Sequence, residues 1–362
     1  MHNRLSAALT AFFITVTPAA GQTPGPLRPA FADWLRQFRE VALQEGIGAA
    51  TLERAFDGLE PLPVIVERDR TQKELILTVQ QYVEQRVTAG VVQTGRRAVA
   101  AHAGLLRRVE RTYGVPRQIV VAVWGLESNF GRFRGVRPTI QALATLAWEG
   151  RREALFRQQL LAALGILDRG EVDFDRLRGS WAGAMGQVQF LPTSYVAYAQ
   201  DFDGDGRKDI WESRADVFAS IANYLRERGW QGGVRWGVRV KRPAKESEAF
   251  VSLAAPRGAG CGAERDLSSP APLAVWRKAG VRPAGAAGDA RRPYSLLTLG
   301  RASYLVTANY EALLAYNCAH SYALSVAQLA DKIAPAADAA RGRGASPTAD
   351  CPQGTRGPNP WR

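Results

Sequence analysis

Cysteine and histidine are scarce in this sequence of 362 residues, which contains only three of each. The cysteines are Cys261, Cys318 and Cys351, and their spacing includes no CxxC pair of the kind found in zinc ribbons and redox motifs. The sequence therefore excludes a disulfide-built scaffold, and its scattered histidines argue against a His-based metal site. Beyond the N-terminus, no apolar run approaches the ~20 residues that a transmembrane helix needs.

The charge balance is strongly basic, because 47 lysine and arginine residues stand against 34 aspartate and glutamate residues, for a formal net charge of +13. A surplus of this size favours an anionic partner such as a nucleic acid, a lipid surface or an acidic polymer, and charge alone does not choose among them. With 46% hydrophobic and 22% charged residues, the chain has the composition of an ordinary globular protein.

The N-terminal segment has the layout of a secretory signal peptide. A short basic start at 1–4 precedes the apolar residues 5–16, and small residues follow at 17–21. We predict a cleavable signal over residues 1–21, the alternative being a buried N-terminal helix. No cysteine follows the apolar stretch, so no lipid anchor is expected. Export to an envelope compartment argues against a nucleic-acid partner, and no nucleic-acid-binding signature is evident.

Apolar spacing divides the chain into a helical part, a β-rich part and a second helical part. Residues 28–228 have helical spacing. Residues 229–298 place glycine and proline between short alternating runs that favour strands, and residues 299–334 return to helical spacing from Ala302 onward. Residues 335–362, rich in Ala, Gly, Pro and Arg, predict a disordered basic tail. Helices are predicted at about 31–58, 70–87, 98–111, 116–130, 139–148, 153–168 and 215–228.

Residues 201–212 match the loop of an EF-hand calcium site. Counting from Asp201, side-chain oxygens fall at positions 1, 3, 5, 9 and 12, glycine stands at position 6, and position 7 offers a backbone carbonyl. The alternative is a plain acidic turn. Because the loop is single and stands beside one predicted helix, we interpret it as a structural calcium site rather than a sensor. The predicted ligands are Asp201, Asp203, Asp205, Asp209 and Glu212, with the carbonyl of Arg207.

Glu127 ends a strongly apolar helical segment and stands beside aromatic residues. A carboxyl at that position is desolvated and lies at the negative end of the helix dipole, and both effects keep it protonated near neutral pH. A protonated carboxyl in an apolar pocket is the general acid of lysozyme-type glycosidases. The alternative is a solvated or salt-bridged glutamate at an ordinary helix end.

Residues 179–192 are rich in glycine and alanine, with the sequence GSWAGAMGQVQFLP. Small residues let the backbone approach a ligand closely. Ser180, Gln187 and Gln189 offer neutral donors and acceptors for hydroxyl and acetamido groups, which suits a carbohydrate. The alternative is tight packing between helices.

These motifs stand in the order and spacing of a known family. ESNFG at 127–131, ALATL at 142–146, the Gly/Ala segment, the EF-hand-like loop and ANYL at 222–225 resemble lytic murein transglycosylases of the B type. The resemblance covers residues 31–333. It implies a mainly α (α+β) fold, with a lysozyme-like helical core, an additional helical part, a small β region and a deep groove for a glycan. It also implies structural calcium in the loop and no organic cofactor.

The family cleaves the bond between N-acetylmuramic acid and N-acetylglucosamine in peptidoglycan without water, which leaves a 1,6-anhydromuramoyl end. By this resemblance Glu127 is the single catalytic carboxyl and acts first as a general acid and then as a base. Arg151 and Arg152 match a basic pair that is associated with the peptide stem, the alternative being a solvated pair. The groove residues implied are Ser180, Gln189, Tyr224, Tyr316 and Asn317.

Two other functions fit the same residues. A muramidase uses the same carboxyl and lets water attack, whereas a calcium-stabilised peptidoglycan-binding scaffold keeps the site without using it. The expected partners are peptidoglycan glycan strands and peptide stems, with cell-wall synthesis or division proteins as further candidates, and we expect a monomer in the periplasm. In that oxidising compartment Cys261 and Cys318 can form a disulfide, although the sequence does not establish their distance.

Overall fold

The computed structural model describes residues 29–70, 77–285 and 287–334. The predicted signal peptide at 1–21 and the predicted tail at 335–362, which includes Cys351, lie outside the described residues. In the described part of the chain, no helix combines the length and the apolar character that crossing a membrane requires.

The chain is helical through most of its first two thirds. The N-terminal helices are α1 (Phe31–Gln44), α2 (Ala49–Phe56), α3 (Pro63–Arg70), α4 (Val79–Arg86), α5 (Ala89–Ala101) and α6 (Ala103–Tyr113). The helices that follow are α7 (Arg117–Ser128), α8 (Thr139–Glu149), α9 (Glu153–Asp168), α10 (Pro192–Tyr198) and α11 (Arg214–Glu227). Two predicted helical segments are each divided in two, because the chain breaks at Gly46 and at His102. Helix α10 is not predicted by the apolar spacing.

Helix α7 is enclosed by the helical part of the protein. Every residue from 119 to 125 is buried, and a helix that is apolar all round is stable only when other elements cover all its sides. Helices α5, α6, α11 and the C-terminal helix α16 (His320–Ile333) pack around it. The enclosure holds the C-terminal end of α7 in a fixed place.

The β-rich part is a five-stranded antiparallel sheet with the strand order β4-β6-β7-β3-β5. Phe250, Trp276 and Leu305 are fully buried in a second, smaller core beside it. A separate strand pair, β1 (Arg137–Pro138) and β2 (Arg178–Gly179), joins the loop after α7 to the Gly/Ala segment. The sheet strands are β3 (Gly237–Lys241), β4 (Ala271–Pro272), β5 (Arg282–Pro283), β6 (Pro293–Leu299) and β7 (Ala302–Val306), and the short helices among them are α12 (Glu248–Ala254), α13 (Gly262–Arg265) and α14 (Leu273–Lys278).

The expected helix from Ala302 is wrong at its start. Residues 302–306 form β7, which pairs with both β6 and β3, and the last helices are α15 (Ala308–Tyr316) and α16. Four of the five residues of β7 are buried. A short strand covered on both faces has no alternating pattern that separates it from a buried helix. The mainly α architecture with a small β region is confirmed.

Candidate active site

Glu127 lies in the last turn of α7, where the chain leaves the helix abruptly. The backbone has positive φ angles at Asn129 (49°) and Phe130 (57°). Two successive residues other than glycine in the left-handed region are uncommon and need support from their surroundings. Ser128 provides part of this support, because its Oγ accepts a hydrogen bond of 3.1 Å from the Gly131 N–H, across the two left-handed residues. This turn fixes the place of Glu127 at the end of a buried helix.

The carboxyl of Glu127 is desolvated by the surrounding protein, and burial raises its pKa to about 7. The hydroxyl of Tyr322 and the guanidinium of Arg86 act in the opposite direction, because each favours the anion. The Tyr322 hydroxyl is buried and lies near enough to Glu127 to favour its anion, although the two groups do not form a hydrogen bond of regular geometry. Both protonation states of this carboxyl are populated near neutral pH, as an acid–base catalyst requires.

An aromatic cluster lies beside the carboxyl. The Tyr316 ring centroid is 4.7 Å from that of Tyr224, 5.8 Å from that of Phe190 and 6.2 Å from that of Tyr322. The Tyr316 hydroxyl donates a hydrogen bond of 2.7 Å to the Val188 carbonyl. Burial raises the pKa of the Tyr316 and Tyr322 hydroxyls well above 10, so both stay neutral. The Tyr224 hydroxyl likewise donates to a backbone carbonyl, that of Ala315, so the cluster offers flat apolar ring faces, which suit the apolar face of a sugar ring.

Tyr224 and Tyr316 are therefore brought together as the sequence predicts, and Tyr322 joins them although the sequence analysis does not select it. Tyr322 is one of the buried residues of α16, and it follows the helical spacing of residues 299–334 without standing out from it. It stands six residues after Tyr316, a separation that would put the two side chains on different faces of one continuous helix. The break between α15 and α16 is what places both rings at one site.

The Gly/Ala segment forms a compact turn that reaches this cluster through Phe190. Met185 pairs with Phe190 by two backbone hydrogen bonds, of 2.7 and 3.2 Å. Ser180 is half-buried, and its Oγ accepts N–H groups of the next turn. Gln189 is half-buried, has a φ of 51° and donates 2.8 Å to the Gly186 carbonyl. Ser180 and Gln189 thus lie in the turn that carries part of the aromatic wall.

Gln187 is not placed as a sugar ligand, which corrects its assignment from sequence. It is fully buried. Its Oε1 accepts a hydrogen bond of 2.8 Å from the Trp124 indole, and its Nε2 donates to the Trp211 carbonyl. Gln187 therefore ties α7 to the acidic loop and uses its carbonyl and its amide nitrogen inside the protein.

We expect Gln187→Leu to lower the free energy of unfolding by about 2–3 kcal/mol, because it leaves the Trp124 indole and the Trp211 carbonyl buried without partners. Denaturant unfolding of the full chain measures this change. Gln80→Leu, on an exposed helix face, is the control and should change stability little. A Gln187→Leu variant of unchanged stability and raised KM would contradict the structural role.

Both arginines of the predicted basic pair bind a carboxylate of the protein itself. Arg151 contacts both oxygens of Asp69, at 2.8 and 3.1 Å, and Arg152 contacts one of them at 2.7 Å. Asp69 is buried. Desolvation is the largest single effect and raises its pKa, but the hydrogen bonds and charges of the two guanidiniums together outweigh it and hold the pKa below the usual value. The arginine side chains are about half exposed, with 50% and 40% of their surface accessible. They join α3 to the start of α9. The side of each guanidinium that does not contact Asp69 is exposed to solvent.

The acidic loop brings three of its predicted ligands together. Carboxylate oxygens of Asp201, Asp203 and Asp205 lie within 4.8 Å of one another. The loop is folded by its own backbone, since Asp201 accepts N–H groups of Gly204 (2.7 Å) and Gly206 (2.9 Å). Three converging anionic oxygens repel one another unless a cation lies between them, and hard oxygen donors fit calcium.

The other predicted ligands lie outside that trio. Asp209 pairs with Arg176 at 2.8 Å, and Glu212 pairs with Arg134. Arg207 stays in the loop, with its N–H on the Asp205 carboxylate at 2.9 Å. The structure thus supports a three-carboxylate cation site, and the full EF-hand ligand set is not assembled in it.

Cys261 and Cys318 form a disulfide, with 6.3 Å between their Cα atoms. This confirms the pairing that the sequence leaves open. Cys318 directly follows Tyr316 and the exposed Asn317, so the bond attaches this segment to the start of α13. Asn317 lies next to the aromatic cluster in sequence.

Comparison with known proteins identifies the family. A family model described as the transglycosylase SLT domain matches residues 30–331. The chain is 31% identical over 259 residues to membrane-bound lytic murein transglycosylase B of Escherichia coli (strain K12), which covers 70% of this chain and 67% of that protein. The chain belongs to the lytic murein transglycosylase B family. It is therefore an enzyme, a lytic transglycosylase of peptidoglycan.

Solved structures agree with this assignment. SltB3 from Pseudomonas aeruginosa, in complex with NAG-anhNAM-pentapeptide, matches with a TM-score of 0.76 at 42% identity, over 84% of this chain and 79% of that one. The Escherichia coli lytic transglycosylase Slt35, in complex with calcium, matches with a TM-score of 0.69 at 28% identity, over 83% of this chain and 92% of that one. The lysozyme-like transglycosylase fold expected from the motifs is confirmed.

Proposed function

We propose that this transglycosylase cleaves the bond between N-acetylmuramic acid and N-acetylglucosamine without water and leaves a 1,6-anhydromuramoyl end. The observation that carries the proposal is the Glu127 carboxyl, held at the end of a buried helix with a pKa of about 7. The crystallised complex of SltB3 with NAG-anhNAM-pentapeptide supports it, because that ligand contains an anhydromuramoyl group.

Glu127 acts twice in this reaction. As an acid it protonates the glycosidic oxygen, so the bond from that oxygen to C1 of the muramoyl residue breaks and N-acetylglucosamine leaves as an alcohol. As the resulting carboxylate it takes the proton from the C6 hydroxyl while that oxygen bonds to C1. Glu127 gives up one proton and takes one back, so it is protonated again at the end of the reaction. Among the described residues no second carboxylate acts on the pKa of Glu127, which fits assistance by the acetamido group of the substrate.

The surrounding residues bind and orient the glycan. Tyr224 and Tyr316 provide aromatic faces for the sugars, while Ser180, Gln189 and Asn317 provide polar groups for hydroxyl and acetamido groups. The free faces of Arg151 and Arg152 receive carboxylates of the peptide stem.

The rate should fall as pH rises through about 7. Below this pH Glu127 is protonated and can donate its proton, whereas above it the carboxyl is anionic and cannot start the reaction. We expect kcat/KM to lose about tenfold per pH unit on the alkaline side, measured by turbidity loss of purified sacculi. Sacculus binding over the same range is the control. A kcat/KM that already falls as the pH rises through 4.5, the ordinary pKa of glutamate, would contradict the raised pKa of Glu127.

We also propose that Asp201, Asp203 and Asp205 hold a structural calcium ion. Calcium removes their mutual repulsion and fixes the loop that Gln187 joins to α7. Calcium at 100 times its Kd should stabilise the fold by about 2.7 kcal/mol, seen as a rise in Tm that EDTA reverses. Asp203→Asn should reduce the rise, and Asp57→Asn should not. If calcium left the Tm unchanged in the unmodified enzyme and in both variants, the proposed calcium site would be contradicted.

We place the enzyme in the periplasm as a monomer, with residues 1–21 as a cleavable signal, because its proposed substrate is outside the cytoplasm. The disulfide fits that oxidising compartment.

The ends of the released fragments test the proposed product. Borohydride reduces the hemiacetal end that a muramidase leaves, but it does not react with an anhydro end. Digests of purified sacculi should therefore keep the same fragment masses after borohydride treatment. A gain of two hydrogens per muramoyl end would make the enzyme a muramidase.

A further inference from the structure

Arg86 lies at the end of α4 and reaches the last turn of α7. Its Nη2 donates a hydrogen bond of 2.9 Å to the Leu126 carbonyl, the residue before Glu127. The carbonyls of the last helical turn have no partners within the helix, and this guanidinium satisfies one of them. A cation at the C-terminal end of a helix also interacts favourably with the helix dipole.

The position of Arg86 is well supported. Helix α4 begins with a capping box in which Thr78 accepts the Gln81 N–H and the Gln81 side chain accepts the Thr78 N–H. Val83 and Val87 are buried and anchor this end of the helix, and α4 packs on α16, the helix that carries Tyr322. The guanidinium is thus held at the site from an element outside α7.

The charged and titratable groups that act on Glu127 come from three directions. Arg86 approaches from α4, Tyr322 from α16 and Tyr316 from the end of α15. The tyrosine hydroxyls stay neutral. Among the described residues, Arg86 is the one positively charged side chain that shifts the pKa of this carboxyl.

We propose that Arg86 is a positioning residue for the reaction described above: it fixes the last turn of α7 and supplies the positive charge that stabilises the Glu127 carboxylate formed when the glycosidic oxygen takes its proton. This inference rests on the proposed function. Desolvation alone favours the neutral carboxyl and therefore opposes the loss of its proton to the glycosidic oxygen. Arg86 counteracts that bias without entering the bond-breaking step.

The test compares Arg86→Gln with Arg86→Lys and with Arg96→Gln. Arg96 is a matched control, because it also donates to a backbone carbonyl near a helix end, that of Lys332 at 2.7 Å, but it is not recorded as acting on Glu127. For each protein we measure the alkaline limb of kcat/KM at low ionic strength, kcat and KM separately, and Tm.

Arg86→Gln should move the alkaline limb upward by about 0.5 pH unit or more, since the anion of Glu127 loses its favourable charge. Its kcat should fall about tenfold or more with little change in KM. Arg86→Lys should restore the position of the limb, because it keeps the charge. Arg96→Gln should leave the limb where it is in the unmodified enzyme, whatever it does to Tm.

A second readout keeps the two proposals apart. Carbon-13 NMR of labelled glutamate carboxyls, with Glu127→Gln to assign the signal, follows the titration of Glu127 without any turnover. An upward shift in Arg86→Gln supports the role of Arg86 even if the product proves to have reducing ends. Unchanged titration and an unchanged limb in Arg86→Gln overturn it even if the product is the anhydro sugar.

Discussion

Glu127→Gln is expected to lower the release of soluble peptidoglycan fragments by more than about 1,000-fold, while the protein stays folded and still binds sacculi. Glutamine has the size of the acid but cannot donate a proton to the leaving oxygen or accept one afterwards. The proposed reaction loses both proton transfers at once, and each contributes about 10²–10⁴-fold.

Glu227→Gln is the matched control, because Glu227 is an exposed glutamate at the end of another helix, α11. It should retain the rate of the unmodified enzyme. Release is measured with labelled sacculi, and binding is measured by co-sedimentation of the same material. Undiminished release by Glu127→Gln would remove Glu127 from catalysis, whereas binding without release by the unmodified enzyme would favour the scaffold function.

Removal of the disulfide has the largest expected effect on stability. Replacing Cys261 and Cys318 together with serine should lower the free energy of unfolding by about 3–4 kcal/mol, because the bond spans 57 residues and restricts the unfolded chain. The loss should appear as a lower denaturation midpoint under oxidising conditions. It should disappear when the unmodified protein is reduced before unfolding, since both proteins then lack the bond.

The same substitution has a local consequence. The bond attaches the segment with Tyr316 and Asn317 to α13, so its loss should raise KM more than it lowers kcat. Cys351→Ser is the matched control and should change neither stability nor KM. Equal stability of the double variant and the unmodified protein under oxidising conditions would contradict this account.

The sequence predicts the helical part well because its signals are strong and local. Helix α9 matches its predicted range of 153–168, and α7 ends two residues before its predicted end. The raised pKa of Glu127 is predicted because a glutamate at the end of an apolar helix is desolvated. Such features depend on neighbours in sequence.

The features that sequence misses depend on neighbours in space. Gln187 has the chemistry of a sugar ligand, but burial makes it a link between Trp124 and Trp211. Arg151 and Arg152 are occupied by Asp69, about 80 residues away in sequence. Tyr322 and Arg86 reach Glu127 from helices that no local pattern connects with α7. Long-range packing decides each of these roles.

Digestion of purified sacculi in water enriched in oxygen-18 tests the central claim most directly. The account predicts that mass spectrometry of the released fragments shows muramoyl ends lighter by one water than hydrolysis products, with no heavy oxygen, and none of these fragments from Glu127→Gln. One oxygen-18 atom at each new muramoyl end would show that water attacks C1, and it would contradict the proposed attack by the C6 hydroxyl.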